Sequence, residues 1–207
     1  MIQHPDFGMI AAFGQEVRGR RACLIRSRDA GESWETRIWL NRPDARSVEP
    51  ALATWGPGNM VMIGREWRPG FAIGPNGYYA HTQHVYRHRP GSSFQSVRFQ
   101  TRRTNIVGNP AAGLSCHDTA EVIYNPVTNR IEALQSHRWG GGPGRTGNKL
   151  ADTPEQEISS LNLWSIVPDD LLAGSGTWRF DGTLRELVGY SRKGNRDGLH
   201  PGGSVVN

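Results

Sequence analysis

The sequence predicts an all-β fold, and three observations support this prediction. Short apolar runs alternate with turn residues along 207 residues, which include 26 glycines and 13 prolines. This composition is typical of short strands joined by tight turns. An eight-residue turn motif lies between two strand-like runs, and looser copies of it recur twice further along the chain. Recurrence of one such unit indicates a repeat architecture.

The turn motif spans residues 27–34 and fits the pattern Ser-x-Asp-x-Gly-x-x-Trp. Asp29 is expected to accept hydrogen bonds from backbone N–H groups of the turn, and Gly31 supplies a residue of positive φ. Trp34 then begins the next strand. The motif therefore predicts a tight hairpin closed by a tryptophan.

Two further segments keep parts of this pattern. Residues 87–94 retain a glycine and an aromatic residue, Phe94, at the same spacing after a strand-like run. A looser third copy runs from Leu163 through Pro168-Asp169-Asp170 to Trp178. Three hairpins, each with an aromatic plug, suit a fold built from repeated sheets.

The first motif resembles the Asp box, or BNR repeat, of sialidases and related β-propellers. That resemblance implies a β-propeller of four-stranded antiparallel blades, with about three blades in this chain. We expect a single domain over residues 1–207. Blade 1 would comprise 1–40 plus a closing strand at 200–207, blade 2 would comprise 48–101, and blade 3 would comprise 117–185.

The two ends of the chain look like parts of one repeat, because 200–207 resembles an opening strand and 5–10 resembles what should follow it. Either the C-terminal strand completes the N-terminal blade, or the chain is a piece of a longer protein. Propellers have about four to eight blades, and three cannot close a ring. We therefore expect another chain to complete the ring, for example as two chains with six blades, or the missing blades to lie elsewhere.

The charge of the chain indicates an anionic partner, because 24 Lys and Arg outnumber 19 Asp and Glu for a net charge of +5. Such a balance suits an acidic polysaccharide, nucleic acid or a membrane surface. No zinc-finger, helix-turn-helix or RNA-binding signature points to nucleic acid, and we expect an acidic polysaccharide or glycan rather than nucleic acid or a membrane. No apolar run reaches transmembrane length, and no signal peptide is recognisable. The compartment is thus undetermined, and it would be extracellular or virion-associated for a glycan-active protein.

A ligand site is predicted where the repeats place polar residues at matched positions. Glu49, His117 and His200 each open the first strand of a repeat. Arg65 and His137 lie at the ends of second strands. In a propeller these positions ring one mouth of the central cavity, so we expect them to contact a ligand together.

The sialidase resemblance extends weakly over the first 70 residues and implies arginines that bind a substrate carboxylate. Arg65 and Arg138 are the candidates. The Arg-Ile-Pro segment expected before the first blade is absent, and Tyr190 is the only candidate for the tyrosine nucleophile. These departures argue against sialidase hydrolysis.

A second resemblance involves His117-Asp118, Asn125-Pro126, Arg130-Ile131 and His137. Their arrangement is similar to that in propeller polysaccharide lyases of the ulvan-lyase kind. It implies that His117 and His137 act as base and acid in an elimination, which suits the ordinary pKa of histidine. Arg65 or Arg138 would neutralise the uronic-acid carboxylate, and Tyr190 would assist. The alternative is that the two histidines only hydrogen-bond in the mouth.

The predicted function is therefore binding, and elimination-type cleavage, of an acidic polysaccharide without a cofactor or metal. A non-catalytic glycan-binding or structural propeller, as on a phage tail spike, is the alternative. His81, His84 and His88 alternate along one predicted strand, which disfavours a three-histidine metal site. The expected substrate-binding residues are Glu49, Arg65, Asp118, Arg138 and His200.

Overall fold

The computed structural model describes residues 1–15, 21–42, 45–67, 81–106, 120–137 and 158–188. Nearly all regular structure in these ranges is β-strand, so the all-β prediction is confirmed. The exceptions there are a 3₁₀ turn at Phe94–Ser96 and a short helix α1 at Pro168–Leu172. Among the described residues, no helix has the length and apolar character needed to cross a membrane.

The described strands form three antiparallel four-stranded sheets, and strands that follow one another in the chain are neighbours in the sheet. Residue pairs between β4 and β5 at the connecting hairpin join sheets 1 and 2. Sheet 1 contains β1 (Ile2–His4), β2 (Gly8–Gln15), β3 (Arg21–Ser27) and β4 (Glu35–Arg42). Sheet 2 contains β5 (Ala45–Trp55), β6 (Asn59–Trp67), β7 (His81–Tyr86) and β8 (Gln100–Arg103). Sheet 3 contains β9 (Ala120–Asn125), β10 (Arg130–His137), β11 (Ile158–Ile166) and β12 (Arg179–Val188).

Two local predictions were wrong. The run Val97-Arg98-Phe99-Gln100 predicts a strand over these four residues, but the strand begins only at Gln100, because the chain first makes the 3₁₀ turn. The turn expected at Pro168-Asp169-Asp170 is helix α1. Proline in the first helical turn and acidic residues near the helix N-terminus favour that helix. The expected closing strand 200–207 lies outside the described residues. Within them, β2 pairs with β1 (Ile2–His4) on one side and with β3 on the other.

Sheet 2 is packed on both faces, and the alternation along β6 shows why. Met60 and Met62 point into one core with sheet 1, whereas Val61 and Ile63 point into another core with sheet 3. All four side chains are 0% exposed. Successive side chains of a strand point to opposite faces, so a strand buried on both faces is apolar at every position. The run Met60-Val61-Met62-Ile63 has this character.

The first interface core, between sheets 1 and 2, contains one buried charge. Arg26 is 5% exposed, its Nε donates to Glu35 Oε1 at 2.9 Å, and its guanidinium lies 5.1 Å from the centre of the Phe94 ring. A buried guanidinium needs such partners because its removal from water is costly. The buried members of this core are Phe7, Ile10, Ala22, Leu24, Leu40, Leu52, Met60, Met62, Tyr86, Phe94 and Val97.

The second interface core, between sheets 2 and 3, is closed by Trp178, which precedes β12 and is 2% exposed. Its indole Nε1 donates to Gln83 Oε1 at 2.9 Å, and Gln83 Nε2 donates to the carbonyl oxygen of Ser175 at 2.7 Å. The Asn105 side chain bonds both the N–H and the carbonyl of Trp178. These bonds satisfy the polar groups that enter the core with the tryptophan.

We expect Gln83→Leu to lower the free energy of unfolding by about 1–3 kcal/mol, because it leaves the buried indole N–H of Trp178 without its acceptor. Urea unfolding followed by tryptophan fluorescence measures this change. Gln3→Leu makes the same substitution at an exposed position and should change stability by roughly 0.5 kcal/mol or less. Equal effects of the two substitutions would contradict the assigned bond.

A buried histidine joins the β1–β2 turn of sheet 1 to the β5–β6 turn of sheet 2. The His4 side chain is 0% exposed, and its Nε2 lies 2.8 Å from the carbonyl oxygen of Gly58. Its Nδ1 accepts from the backbone N–H groups of Asp6 and Phe7 at 3.1 and 3.3 Å. Because Nδ1 is an acceptor, the neutral ring carries its proton on Nε2 and donates it to Gly58. His88 lies beside this ring.

This geometry predicts that the chain loses stability in mild acid. Burial lowers the pKa of His4 below its ordinary value, and this effect outweighs the opposing effects of the Gly58 carbonyl and the Asp6 carboxylate. The neutral ring therefore stabilises the fold fully above about pH 6.5, and that contribution is lost as the pH falls through the lowered folded value.

Urea unfolding of the parent and of His4→Asn, from about pH 7.5 to about pH 5, measures this contribution. Asparagine keeps an oxygen acceptor near the Nδ1 position but does not titrate. The parent should lose more stability over this range than the variant does. Parallel curves for the two proteins would rule out His4 as the source of the pH dependence.

Candidate ligand-binding end of the sheets

The antiparallel strands place two different sets of segments at opposite ends of the sheets. At the end that we call the turn end, β2 begins beside the end of β3, since Met9 pairs with Ser27. At the opposite end, which we call the mouth end, Arg65 of β6 pairs with Val48 of β5 and with His81 of β7. The predicted Asp box therefore lies at the turn end, and the predicted ligand residues of β5, β6 and β10 lie at the mouth end.

The turn at residues 27–34 has the hydrogen bonds predicted for Asp29, but Trp34 is 38% exposed and the next strand begins only at Glu35. Asp29 Oδ1 accepts from the backbone N–H of Ser33 at 2.9 Å and from the Ser27 hydroxyl at 2.6 Å. Ser27 Oγ in turn accepts from the backbone N–H of Gly31 at 2.8 Å, and Gly31 has a φ of 97°. The side chains of Asp29 and Ser27 thus take up the backbone donors of the turn, which fixes its shape.

The same bonds predict an acid-sensitive turn. Hydrogen bonds from Ser27 and Ser33 lower the pKa of Asp29 to about 2, because they stabilise the charged carboxylate. A depressed carboxyl pKa contributes stability above the ordinary value of about 3.9, and that contribution is lost as the pH falls through the folded value.

We expect Asp29→Ala to lower the melting temperature at neutral pH, because the Ser33 amide and two hydroxyl groups lose their acceptor. Asp29→Asn should be milder, since the amide oxygen still accepts a hydrogen bond. Glu32→Ala, at an exposed position of the same turn, is the matched control and should leave the melting temperature nearly unchanged. Equal melting temperatures for Asp29→Ala and Glu32→Ala would contradict the role of Asp29.

The two looser copies of the motif, at residues 87–94 and 163–178, also lie between the third and fourth strands of their sheets. In the second copy, Gly91 has a φ of 75° and the N–H of Ser92 donates to the carbonyl of Arg89 at 3.0 Å. Phe94 and Trp178 are buried, whereas Trp34 of the intact motif is 38% exposed. In the two looser copies of the motif, the aromatic residue therefore fills an interface core.

Glu49 occupies a strained position at the mouth end. It is exposed, its φ is 51°, and the pairing of β5 with β6 shifts register between Val48 and Ala51. A bulge with a non-glycine residue of positive φ re-aims side chains and is common next to functional sites. Arg65, also predicted to bind substrate, lies on the neighbouring strand, where it pairs with Val48.

His137 ends β10 at the same end of sheet 3, where it pairs with Ser160 of β11. Two residues before His137 along β10, the side chains of Gln135 and Asn162 form a buried polar row across β10 and β11. Gln135 is 0% exposed, Asn162 is 1% exposed, and Asn162 Nδ2 lies 3.4 Å from Gln135 Oε1. Thr183 Oγ1 donates to Asn162 Oδ1 at 2.8 Å. The sequence analysis did not identify this row, although polar residues at positions that alternation assigns to a core are its signal.

Glu121 is a further mouth-end acid that the sequence analysis did not identify. It is the second residue of β9 and is half-buried. Burial raises its pKa, and the amino group of Met1 acts in the opposite direction. An interaction between these charges requires that the beginnings of β1 and β9 lie near each other.

The other predicted site residues lie outside the described residues: His117, Asp118, Arg138, Tyr190 and His200. Of the predicted site residues, Glu49 and Arg65 lie on neighbouring strands of sheet 2, and His137 lies on sheet 3. Within the described ranges, no group of three histidine, cysteine, aspartate or glutamate side chains is arranged to hold a metal ion. His81 and His84 are both buried, in β7, and their ring nitrogens lie near Ile106 and Thr101 respectively.

Comparison of the sequence with protein-family models, with curated proteins and with solved structures gave no match. The function proposed below therefore rests on the residues of this chain.

Proposed function

We propose that the three sheets are consecutive blades of a sialidase-like β-propeller whose mouth end binds an acidic polysaccharide. The observation that supports this most strongly is the face-to-face packing of the sheets in chain order. The first strand of sheet 2, β5, contacts both β1 and β9, the first strands of its neighbours. The innermost strands of propeller blades adjoin one another in this way around the central axis.

The charge of the chain and its arginines support an anionic ligand. The net charge is +5. Of the predicted ligand residues, Arg65 lies near the end of β6, and Arg138 is the next residue in the sequence after β10. A guanidinium group presents a planar fork of donors that matches a carboxylate in two hydrogen bonds. A uronic acid carries such a carboxylate on each ring. An acidic polysaccharide therefore suits these residues better than a neutral one.

For the chemistry we favour elimination over hydrolysis. One of His117 and His137 would take the proton from C5 of the uronic acid, and the other would protonate the departing oxygen on C4. The C5–H and C4–O bonds break and a C4–C5 double bond forms, so no water or cofactor enters the reaction. Arg65 or Arg138 would neutralise the carboxylate and so acidify the C5 proton, with Tyr190 assisting. Histidine serves both proton transfers because its ordinary pKa is near neutrality.

A non-catalytic glycan-binding or structural propeller, such as a tail-spike module, is the second candidate. Binding needs only charged side chains around the mouth, and the exposed, bulged Glu49 suits contact with sugar hydroxyl groups. Elimination needs more, because both histidines must reach one sugar ring. Turnover and binding therefore have to be measured separately.

We expect polygalacturonate or alginate to bind the chain and to yield unsaturated products that absorb in the ultraviolet. His117→Ala and His137→Ala should each lower turnover by about 10²–10⁴-fold and retain binding, because they remove one proton transfer. Arg65→Ala should weaken binding, measured by calorimetry, by about 1.5–3 kcal/mol through loss of a charged hydrogen bond.

Arg89→Ala is the matched control for Arg65→Ala, since it removes the same charge from an exposed residue at the turn end. It should leave binding within roughly 0.5 kcal/mol of the parent. Binding without turnover in the parent protein would replace elimination by the second candidate. Absence of binding to both polysaccharides would overturn the proposed binding of an acidic polysaccharide.

A further inference from the structure

In sheets 2 and 3, equivalent positions of the second strand face the preceding sheet, and we call this the packing rule. The first residue of β2, β6 and β10 pairs with the last residue of the preceding strand: Gly8 with His4, Asn59 with Trp55, and Arg130 with Asn125. These pairs align the three strands residue by residue. The second residues of the strands are then Met9, Met60 and Ile131, and the fourth residues are Ala11, Met62 and Ala133.

In sheets 2 and 3 these second and fourth residues face the preceding sheet. Met60 and Met62 lie in the core with sheet 1, and Ile131 and Ala133 lie in the core with sheet 2. All four are 0% exposed. We call this side of a sheet its upstream face and the opposite side its downstream face. Each interface core joins one downstream face to the upstream face of the next sheet.

The rule leaves one upstream face without a covering sheet among the described residues, that of sheet 1. Phe13 pairs with Cys23, and Cys23 pairs with Trp39, so these three side chains form one row across the face. Phe13 is 52% exposed and Trp39 is 39% exposed. Met9 and Ile25 on the same face are partly exposed. Large exposed apolar side chains grouped on one face indicate a contact surface.

The rule also leaves the downstream face of sheet 3 open within the described part of the chain. Leu134 of β10 pairs with Leu163 of β11, and both point away from sheet 2. These leucines, with Ile123 of β9, are partly exposed. The equivalent of Leu134 in sheet 2 is Ile63, which is 0% exposed against sheet 3. This face thus carries a partly exposed apolar group, with Glu121 paired to Leu134 and Glu132 paired to Ile123 beside it, and it lacks the next sheet within the described residues.

We infer that a second copy of this chain covers both faces, with its sheet 1 on sheet 3 of the first copy and its sheet 3 on sheet 1. One chain carries both halves of the missing interface, so two copies related by a two-fold axis complete two interfaces at once. This inference rests on the propeller proposed above. Two copies give six sheets, and propellers contain about four to eight. A head-to-tail contact of this kind closes into a ring when the rotation fits.

Light scattering after size exclusion, at several protein concentrations and without polysaccharide, tests this inference. We expect a mass twice the 22.9 kDa of one chain. Phe13→Glu and, separately, Leu134→Glu should each reduce the mass to that of one chain, because each places a charge in both interfaces of the dimer. Val127→Glu makes a comparable change at a residue that is 93% exposed in the β9–β10 turn. It should leave the mass unchanged.

Mixing the two variants distinguishes head-to-tail packing from a contact between identical faces. A mixed pair of Phe13→Glu and Leu134→Glu chains has one unaltered interface, so the mass of two chains should reappear in the mixture. In a dimer formed by two sheet 1 faces, Leu134→Glu alone would still be a dimer, which would overturn the inference. Circular dichroism shows whether each variant is folded. Trp39→Lys, at another exposed residue of the sheet 1 face, replaces Phe13→Glu if that variant unfolds.

A parent protein with the mass of one chain at all concentrations would also overturn the inference, as would an unlimited series of larger assemblies. These outcomes are separate from the sugar measurements. A dimer that binds no acidic polysaccharide would leave this inference standing and overturn only the polysaccharide-binding proposal. A monomer that binds an acidic polysaccharide would overturn this inference and leave the polysaccharide-binding proposal standing.

Discussion

The packing of sheet 2 on both of its faces is the constraint on which the rest of the structure depends. Along β6 the side chains alternate between two cores, Met60 and Met62 towards sheet 1 and Val61 and Ile63 towards sheet 3. An alternating strand cannot serve two cores unless a sheet lies on each side of it. The three sheets therefore stack face to face, although β4 and β5 also pair at the edges of sheets 1 and 2, and their first strands lie near one another.

This arrangement separates the structural end of the molecule from the candidate site. At the turn end, hydrogen bonds within residues 27–34 fix the β3–β4 turn, and His4 stacks on Phe7 and bonds the β5–β6 turn of sheet 2. Glu49 and Arg65 instead lie at the mouth end, where the chain departs from regular pairing at the Glu49 bulge. Loops and strand ends held by a rigid scaffold are the usual place for binding residues.

The all-β class and the hydrogen bonds of the turn at residues 27–34 could be predicted from the sequence because both depend on local chemistry. Ser27, Asp29 and Gly31 bond within one turn, so their spacing alone specifies it. Helix α1 was not predicted, since five residues carry too little periodicity to distinguish a helix from a turn. Glu121 was missed for another reason: its raised pKa depends on its burial in the folded chain, which no local pattern encodes. The roles of His117 and His137 stay predictions.

Methyl-resolved NMR tests the central claim most directly, with labelled methionine, isoleucine, leucine and valine side chains. The account predicts cross-peaks from Met60 and Met62 to methyl groups of sheet 1, such as those of Ile10 and Leu24. It predicts cross-peaks from Val61 and Ile63 to a different set, which includes Ile131 of sheet 3. Cross-peaks that join all four residues of β6 to one and the same sheet would contradict the face-to-face stack.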